Sequence, residues 1–168
     1  IEANPRFETL MKAVDVVKKE NIDFLLAVGG GSVMDGTKFV SLASQYDGEN
    51  ALDLLSDRMA ASTLTKALPL GTVVTLPATG SEMNCGGVVT SSIGKRGFRN
   101  NLVFPKFSFL DPTLTFSLPK TQVANGVVDT FIHVLEQYAT YPVDAMFQDR
   151  TAEGILQTLI EIGKKTID

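Results

Sequence analysis

The chain has 168 residues, of which none is tryptophan, one is histidine and one is cysteine. The single cysteine, Cys85, cannot form an internal disulfide, which fits a reducing compartment such as the cytosol. With His133 as the only histidine, neither a metal site of several histidines nor a Ser-His-Asp hydrolase is favoured, and no G-x-S-x-G motif is present. Because no histidine lies near Cys85 in sequence, we interpret it as a structural thiol rather than a nucleophile.

The sequence also lacks features that mark other classes of protein. It has no apolar run of the roughly 20 residues that cross a bilayer, and no basic-then-apolar leader. A net charge of −4 argues against a nucleic-acid or anionic-membrane partner, because both call for a basic patch. We therefore expect a cytoplasmic protein. Because the chain opens at Ile1, without an initiator methionine, we interpret it as a segment of a longer protein.

What is present describes a globular protein of mixed secondary structure. Hydrophobic residues make up 44% of the chain and charged residues 20%, which is enough apolar material for a sizeable core. Apolar spacing predicts an amphipathic helix over 7–20, a buried strand over 23–28, a glycine turn at 29–31 and a second helix from Ser32. This order is typical of an α/β sheet.

The chain changes character near Leu118. We therefore predict a partial α/β domain over 1–118 and the start of an all-helical domain over 119–168. The elements predicted by apolar runs, turn residues and helical spacing are a short helical turn at 51–55, strands at 71–76 and 107–110, a hairpin of 88–91 with 98–104 turning at 94–97, and helices at 119–140 and 144–165.

The first motif with chemical meaning is the glycine turn Gly29-Gly30-Gly31. Glycines between a strand and a helix let a phosphate approach the backbone, and the helix N-terminus presents N–H groups and a positive dipole. The motif is neither the G-x-G-x-x-G fingerprint nor a P-loop. In the alternative interpretation, Ser32 caps the helix and Asp35 completes a capping box. The two interpretations are compatible, because a cap and a phosphate use different N–H groups.

A second motif follows the predicted strand over 71–76. Thr79, Gly80 and Ser81 place small hydroxyl side chains around a glycine, and such groups hydrogen-bond phosphates or amides. Loops of this composition are also common without any bound ligand. Both interpretations stay open on the sequence.

The third motif pairs Asp129 with His133 on the predicted helix over 119–140. Residues four apart lie one above the other on a helix, so a carboxylate and an imidazole converge there. They supply two metal ligands, whereas metal sites in enzymes usually have at least three protein ligands. At ~100° per residue, Asn125 and Glu136 fall on the same side. The alternative is an ordinary solvent-exposed helix face.

In their order and their residues, these motifs resemble those of the iron-containing (group III) alcohol dehydrogenases. The matching segments are the glycine turn with Asp35 and Lys38, then 76–82, 110–112 and 122–138. The last of these resembles the butanol dehydrogenase and broad-specificity aldehyde reductase branch. The resemblance spans essentially the whole chain. It implies a Rossmann-like, dehydroquinate synthase-like dinucleotide-binding domain without its first strands, followed by an all-helical domain, with the nicotinamide and a metal in the cleft between them.

The resemblance also implies roles for individual residues. The turn at Gly30, Gly31 and Ser32 matches the family's pyrophosphate site, and Asp129 and His133 match the first two ligands of a divalent metal, iron or zinc. The implied partners are a small aldehyde or alcohol and a second copy of the full-length protein in a homodimer. The resemblance identifies no proton donor. Further contacts with NAD or NADP are implied at Thr75, Thr79, Ser81, Val89, Lys95 and Leu114.

The chain departs from the family in length. Members of the family are more than twice as long, with an N-terminal strand and loop for the adenosine end and two further histidine ligands. The resemblance therefore implies metal-dependent hydride transfer between NAD(P)H and an aldehyde or primary alcohol in the full-length parent. It implies no activity for these 168 residues alone. The alternatives are a glycerol dehydrogenase-like or maleylacetate reductase-like enzyme and a non-catalytic nucleotide-binding module.

Overall fold

The computed structural model describes residues 1–57 and 59–167. The chain divides into two compact units, Ile1–Thr115 and Phe116–Asp168. The first unit combines helices with two small sheets. The second consists of two helices. Cofactor binding by residues 1–118 and metal binding by residues 119–168 stay predictions.

The first unit is built around a parallel sheet. Its strands β1 (Leu25–Gly29), β2 (Leu70–Val74) and β5 (Ser108–Phe109) are adjacent in that order, and the β1–β2 ladder pairs Leu25 with Leu70 and Gly29 with Val74. Both strands therefore end at the same edge. In chain order the unit contains α1 (Phe7–Lys19), β1 (Leu25–Gly29), α2 (Gly31–Ala43), β2 (Leu70–Val74), β3 (Gly86–Ser91), β4 (Gly94–Arg99) and β5 (Ser108–Phe109).

The core of this unit lies around helix α2. Phe39 is fully buried and makes edge-to-face contacts with Phe7 at 5.8 Å and Phe98 at 5.6 Å between ring centroids. Helix α1 adds Leu10 and Val14, which are 0% and 1% exposed. Aromatic pairs of this geometry add to the free energy gained by burying their area. The packing fixes α2 between α1 and the hairpin, and so fixes the position of its N-terminus.

The second sheet is the antiparallel hairpin of β3 and β4, and its turn corrects the sequence prediction. Ser91 pairs with Gly94, so the chain turns at residues 92–93 rather than at 94–97. Gly94, the first residue after the turn, has a φ of 99°, a left-handed conformation that suits glycine. The predicted strand over 98–104 is also wrong beyond Arg99, because Asn101–Val103 form a 3₁₀ turn.

The remaining predicted elements are confirmed with small shifts of their ends, including the helical turn Ala51–Leu55. In the second unit the helices are α3 (Lys120–Tyr138) and α4 (Met146–Ile167). They approach closely at Gly163, where an added Cβ would lie 2.8 Å from Val127 Cγ1. Within the described part of the chain, no helix combines the length and apolar character needed to cross a membrane.

Candidate functional site

The glycine turn joins the end of β1 to the start of α2. Gly30 occupies the N-cap position, with no side-chain hydrogen bond capping the helix. Ser32 lies inside the helix, where its Oγ accepts a hydrogen bond from the Asn4 backbone N–H at 3.2 Å. The alternative interpretation of Ser32 and Asp35 as a capping box is therefore wrong. Its other member, Asp35, instead accepts from the hydroxyl of Ser81 and the backbone N–H of Val88.

The glycine turn packs directly against the loop that follows β2. A Cβ added at Gly31 would lie 2.5 Å from both Oγ1 and Cγ2 of Thr79, and one added at Gly30 would lie 3.2 Å from the Cβ of Leu76. The absence of side chains at these positions permits the close approach. Two motifs 48 positions apart thus meet where neighbouring parallel strands end, which is the usual position of ligand sites in α/β sheets.

Lys38 lies seven residues into the same helix and is fully buried. Its Nζ donates to the backbone oxygen of Ser81 at 2.6 Å and to the Ser81 hydroxyl at 2.8 Å. It also reaches Asn84 Oδ1 at 2.9 Å and the backbone oxygen of Gly86 at 3.0 Å. A buried ammonium group needs such partners, because removing it from water without them costs several kcal/mol.

The hydroxyl of Ser81 connects this ammonium group to a carboxylate. It accepts from Lys38 Nζ and donates to Asp35 Oδ1 at 2.7 Å. Burial lowers the pKa of Lys38 to about 8, and the charges of Asp35, Cys85 and Glu82 oppose this shift. Sequence reasoning matched Lys38 to the family without assigning it a role. The available signal was a lysine directly before the apolar pair Phe39-Val40 on a core helix.

The loop after β2 has a second attachment on its other side. Ser108 of β5 donates from Oγ to the backbone oxygen of Glu82 at 2.8 Å, and accepts from Thr72 Oγ1 of β2 at 2.8 Å. Gly80 has a φ of 65°, which allows the chain to enter the 3₁₀ turn Ser81–Met83. The loop is thus held by both α2 and the sheet.

A cavity of about 530 Å³ lies beside this loop. Its volume is in the range of ligand pockets. Two predicted cofactor residues, Thr79 and Ser81, line it, and sequence reasoning did not anticipate the contributions of Asn84 and Arg99. Further lining residues come from α2, the loop and β3, among them Asp35, Cys85, Gly86 and Val88.

The other predicted cofactor residues differ in how far they are exposed to solvent. Thr75 directly follows β2 and is half-buried, with its N–H donating to the backbone oxygen of Gly29 at 3.1 Å. Val89 is fully buried in the core, whereas its neighbour Val88 lines the cavity. Lys95 is exposed on β4. Its Nζ donates to Asn4 Oδ1 at 2.8 Å.

Leu114 and Ser81 complete the predicted cofactor contacts. Leu114 lies in the 3₁₀ turn Pro112–Thr115 and is 39% exposed. Ser81 is 1% exposed, and its hydroxyl proton is already donated to Asp35. A direct contact between any of the predicted residues and NAD or NADP stays a prediction.

Helix α3 brings Asp129 and His133 together as the spacing predicts. His133 Nε2 lies 3.7 Å from Asp129 Oδ2, and the two side chains are 61% and 58% exposed. On the other side of the ring, Nδ1 lies 3.1 Å from Glu136 Oε1. A carboxylate at Nδ1 favours the proton on that nitrogen. The lone pair of Nε2 is then available on the side of Asp129.

This donor set fits part of a metal site. A carboxylate oxygen and an imidazole nitrogen on one helix face are ligands that divalent iron and zinc accept. Within residues 1–57 and 59–167, no group of three or more His, Cys, Asp or Glu side chains is placed to hold a metal ion. Among the described residues, Asp129 and His133 are therefore candidates for two ligands of such a site.

The fold defines a Rossmann-like α/β unit: a parallel sheet with a glycine turn leading into a helix at its carboxyl edge. The chain belongs to the iron-containing alcohol dehydrogenase family, whose model matches residues 1–112. This confirms the family resemblance stated from the motifs.

Curated relatives and solved structures agree with this assignment. The chain is 52% identical over 99% of its length to the NADPH-dependent aldehyde reductase YqhD of Escherichia coli. It is 48% identical over its whole length to a probable NADH-dependent butanol dehydrogenase of Bacillus subtilis. A crystal structure of Escherichia coli YqhD covers 99% of the chain with a TM-score of 0.89. The chain spans about 43% of the length of these relatives.

Proposed function

We propose that the full-length protein containing this chain is a metal-dependent oxidoreductase that transfers hydride between NADPH or NADH and an aldehyde or primary alcohol. The observation that carries the proposal is the meeting of the glycine turn at Gly31 with the Thr79 loop beside a cavity. Family membership supplies the reaction class, because relatives over the whole chain are named as an aldehyde reductase and as butanol dehydrogenases.

In this proposal the first unit holds the cofactor. The N-terminus of α2, at Gly31 and Ser32, offers backbone N–H groups and the positive end of the helix dipole to the pyrophosphate. Thr79 lies against this turn and is exposed, which supports a contact between its hydroxyl and the bound cofactor. Lys38 bonds three residues that line the cavity beside this loop, Ser81, Asn84 and Gly86.

The second unit supplies the first ligands of the metal. Asp129 and His133 hold a divalent ion, iron or zinc, and Glu136 orients the imidazole through Nδ1. When bound, the nicotinamide supplies or accepts hydride and the metal polarises the substrate oxygen as a Lewis acid. Two ligands alone leave the site incomplete, so we propose that the 168 residues by themselves are inactive. The homodimer expected for the full-length protein belongs to the same proposal.

The proposal is tested on the full-length protein by measuring its metal content and its aldehyde-dependent oxidation of NADPH and NADH. We expect one divalent metal per subunit and turnover with short-chain aldehydes. A Gly31→Ala variant should bind the cofactor more weakly, because its Cβ would collide with Thr79. Gly154→Ala is the matched control, since nothing lies within 4 Å of a Cβ built there. Metal-loaded protein without turnover with either cofactor would refute the proposal.

A further inference from the structure

The loop over residues 79–86 has few apolar anchors. Met83 at its tip is 72% exposed, whereas Cys85 is 3% exposed and is the one hydrophobic residue of this segment in the buried core. The position of the loop therefore depends largely on polar contacts. Those contacts come from α2 through Lys38 and Asp35 and from β5 through Ser108.

Among these residues, Lys38 contacts the largest number of positions along the loop. One ammonium group binds the start of the 3₁₀ turn at Ser81, the residue after it at Asn84, and the first residue of β3 at Gly86. Because the acceptors span six positions of the chain, a single side chain fixes the shape of the loop as well as its position. Lys38 itself is fully buried, and its three partner residues Ser81, Asn84 and Gly86 line the cavity.

The same helix carries both the glycine turn and this lysine. Gly31 begins α2, and Lys38 follows about two turns later. We propose that Lys38 is a positioning residue for cofactor binding, which holds residues 79–86 against α2 so that Thr79 keeps its place beside the glycine turn. This inference rests on the proposed function, because it takes the glycine turn and Thr79 as the cofactor site.

The proposal is tested with Lys38→Met in the full-length protein. Methionine keeps most of the length of lysine but removes the ammonium group. We expect the dissociation constants of NADPH and NADH, measured by fluorescence titration, to rise roughly ten- to hundredfold, since small misplacements of binding groups have effects of this size. Hydrogen exchange of the backbone amides over 79–86 should accelerate. Metal content should stay unchanged, because Asp129 and His133 lie in the other unit.

Two further variants keep the test sharp. Lys12→Met removes an exposed lysine of α1 and should leave both cofactor binding and loop exchange as in the unaltered protein. Asn84→Ala, at an exposed position, serves if Lys38→Met fails to fold. It removes one acceptor of the Lys38 ammonium group, together with the Asn84 contacts to the Gly80 backbone oxygen and the Gly86 backbone N–H. It should weaken binding less than Lys38→Met does. The double variant should lose less affinity than the sum of the two single losses, because the contact between Lys38 and Asn84 is common to both changes.

The outcomes separate this inference from the proposed function. Unchanged exchange over 79–86 and unchanged cofactor affinity in Lys38→Met or Asn84→Ala would overturn the positioning role. Additive losses in the double variant would also contradict it. If the unaltered protein binds neither NADPH nor NADH, the proposed function fails, and the exchange measurement still decides whether Lys38 holds the loop.

Discussion

The two candidate sites of this chain are built in opposite ways. In the first unit, Lys38 and Ser81 are 0% and 1% exposed and are bound into one network with Asp35. In the second unit, Asp129 and His133 lie on a helix face with more than half of each side chain exposed. The first arrangement is complete in itself, because its polar groups have partners within the same unit. The second presents groups whose chemistry calls for further ligands.

This difference separates two ways of preparing a site. A buried, hydrogen-bonded network fixes a loop before any ligand arrives, which lowers the entropy lost on binding. An exposed pair on a helix is held by the backbone spacing and by one neighbouring carboxylate, Glu136. We therefore expect changes in the first unit to act on cofactor affinity and stability. Changes on α3 should act on metal binding while the fold is retained.

The largest effect is expected from His133→Ala in the full-length protein. Removing an imidazole ligand should lower metal affinity by more than about a hundredfold, beyond the loss caused by changing an outer-shell partner. Turnover should fall with metal content, while the affinity for NADPH or NADH stays close to that of the unaltered protein. Metal analysis after dialysis, together with cofactor titration, measures both.

The matched control for that variant is Gln137→Ala. Gln137 is exposed on the same helix, and its side chain bonds the backbone oxygen of His133. The change therefore removes an exposed side chain next to His133 and leaves the imidazole in place. It should keep its metal. Unchanged metal content in His133→Ala would instead favour a non-catalytic nucleotide-binding module, in which His133 is only part of a solvent-exposed face.

A smaller effect is expected from Glu136→Ala. Its carboxylate lies 3.1 Å from His133 Nδ1, and loss of such an outer-shell partner typically lowers metal affinity by about tenfold or more. Glu136→Gln should lie between Glu136→Ala and the unaltered protein, because an amide oxygen still accepts from Nδ1. The tautomer is checked independently by ¹⁵N NMR of the imidazole in metal-free protein. An unchanged tautomer and unchanged metal affinity in Glu136→Ala would show that the contact has no orienting role.

The two regions also differed in how far the sequence predicted them. On α3 the spacing of Asp129 and His133 settled their proximity, because residues four apart on a helix must share a face. The same local logic predicted the helix bounds to within a few residues. It failed at the hairpin, where the pairing of Ser91 with Gly94 places the turn at residues 92–93.

Long-range partners explain what sequence reasoning missed in the first unit. Ser32 and Asp35 have the spacing of a capping box, yet the Asp35 carboxylate bonds Ser81 and Val88, which are 46 and 53 positions away. The acceptors of Lys38 lie 43 to 48 positions away. No local pattern encodes such partners. The residues of the motifs identified the family, whereas the hydrogen bonds of Lys38 to the loop are visible only in the folded structure.

The smallest predicted effect concerns the stability of the buried network against pH. The pKa of Lys38 is about 8 in the folded chain, against 10.5 for an ordinary lysine. Between these values the unfolded chain binds more protons, so the free energy of unfolding should rise with pH, by about 1 kcal/mol from pH 8 to pH 9. The pKa of about 8 is the balance between burial, which lowers it, and the charges of Asp35, Cys85 and Glu82, which raise it. Denaturant unfolding of the full-length protein at pH 8 and pH 9 measures this change in the free energy of unfolding. In Lys38→Met the contribution of the lysine should be missing, so the rise should be smaller. An equal rise in both proteins would show that Lys38 titrates near its ordinary pKa, and the buried site would then not differ from the exposed one in its electrostatics.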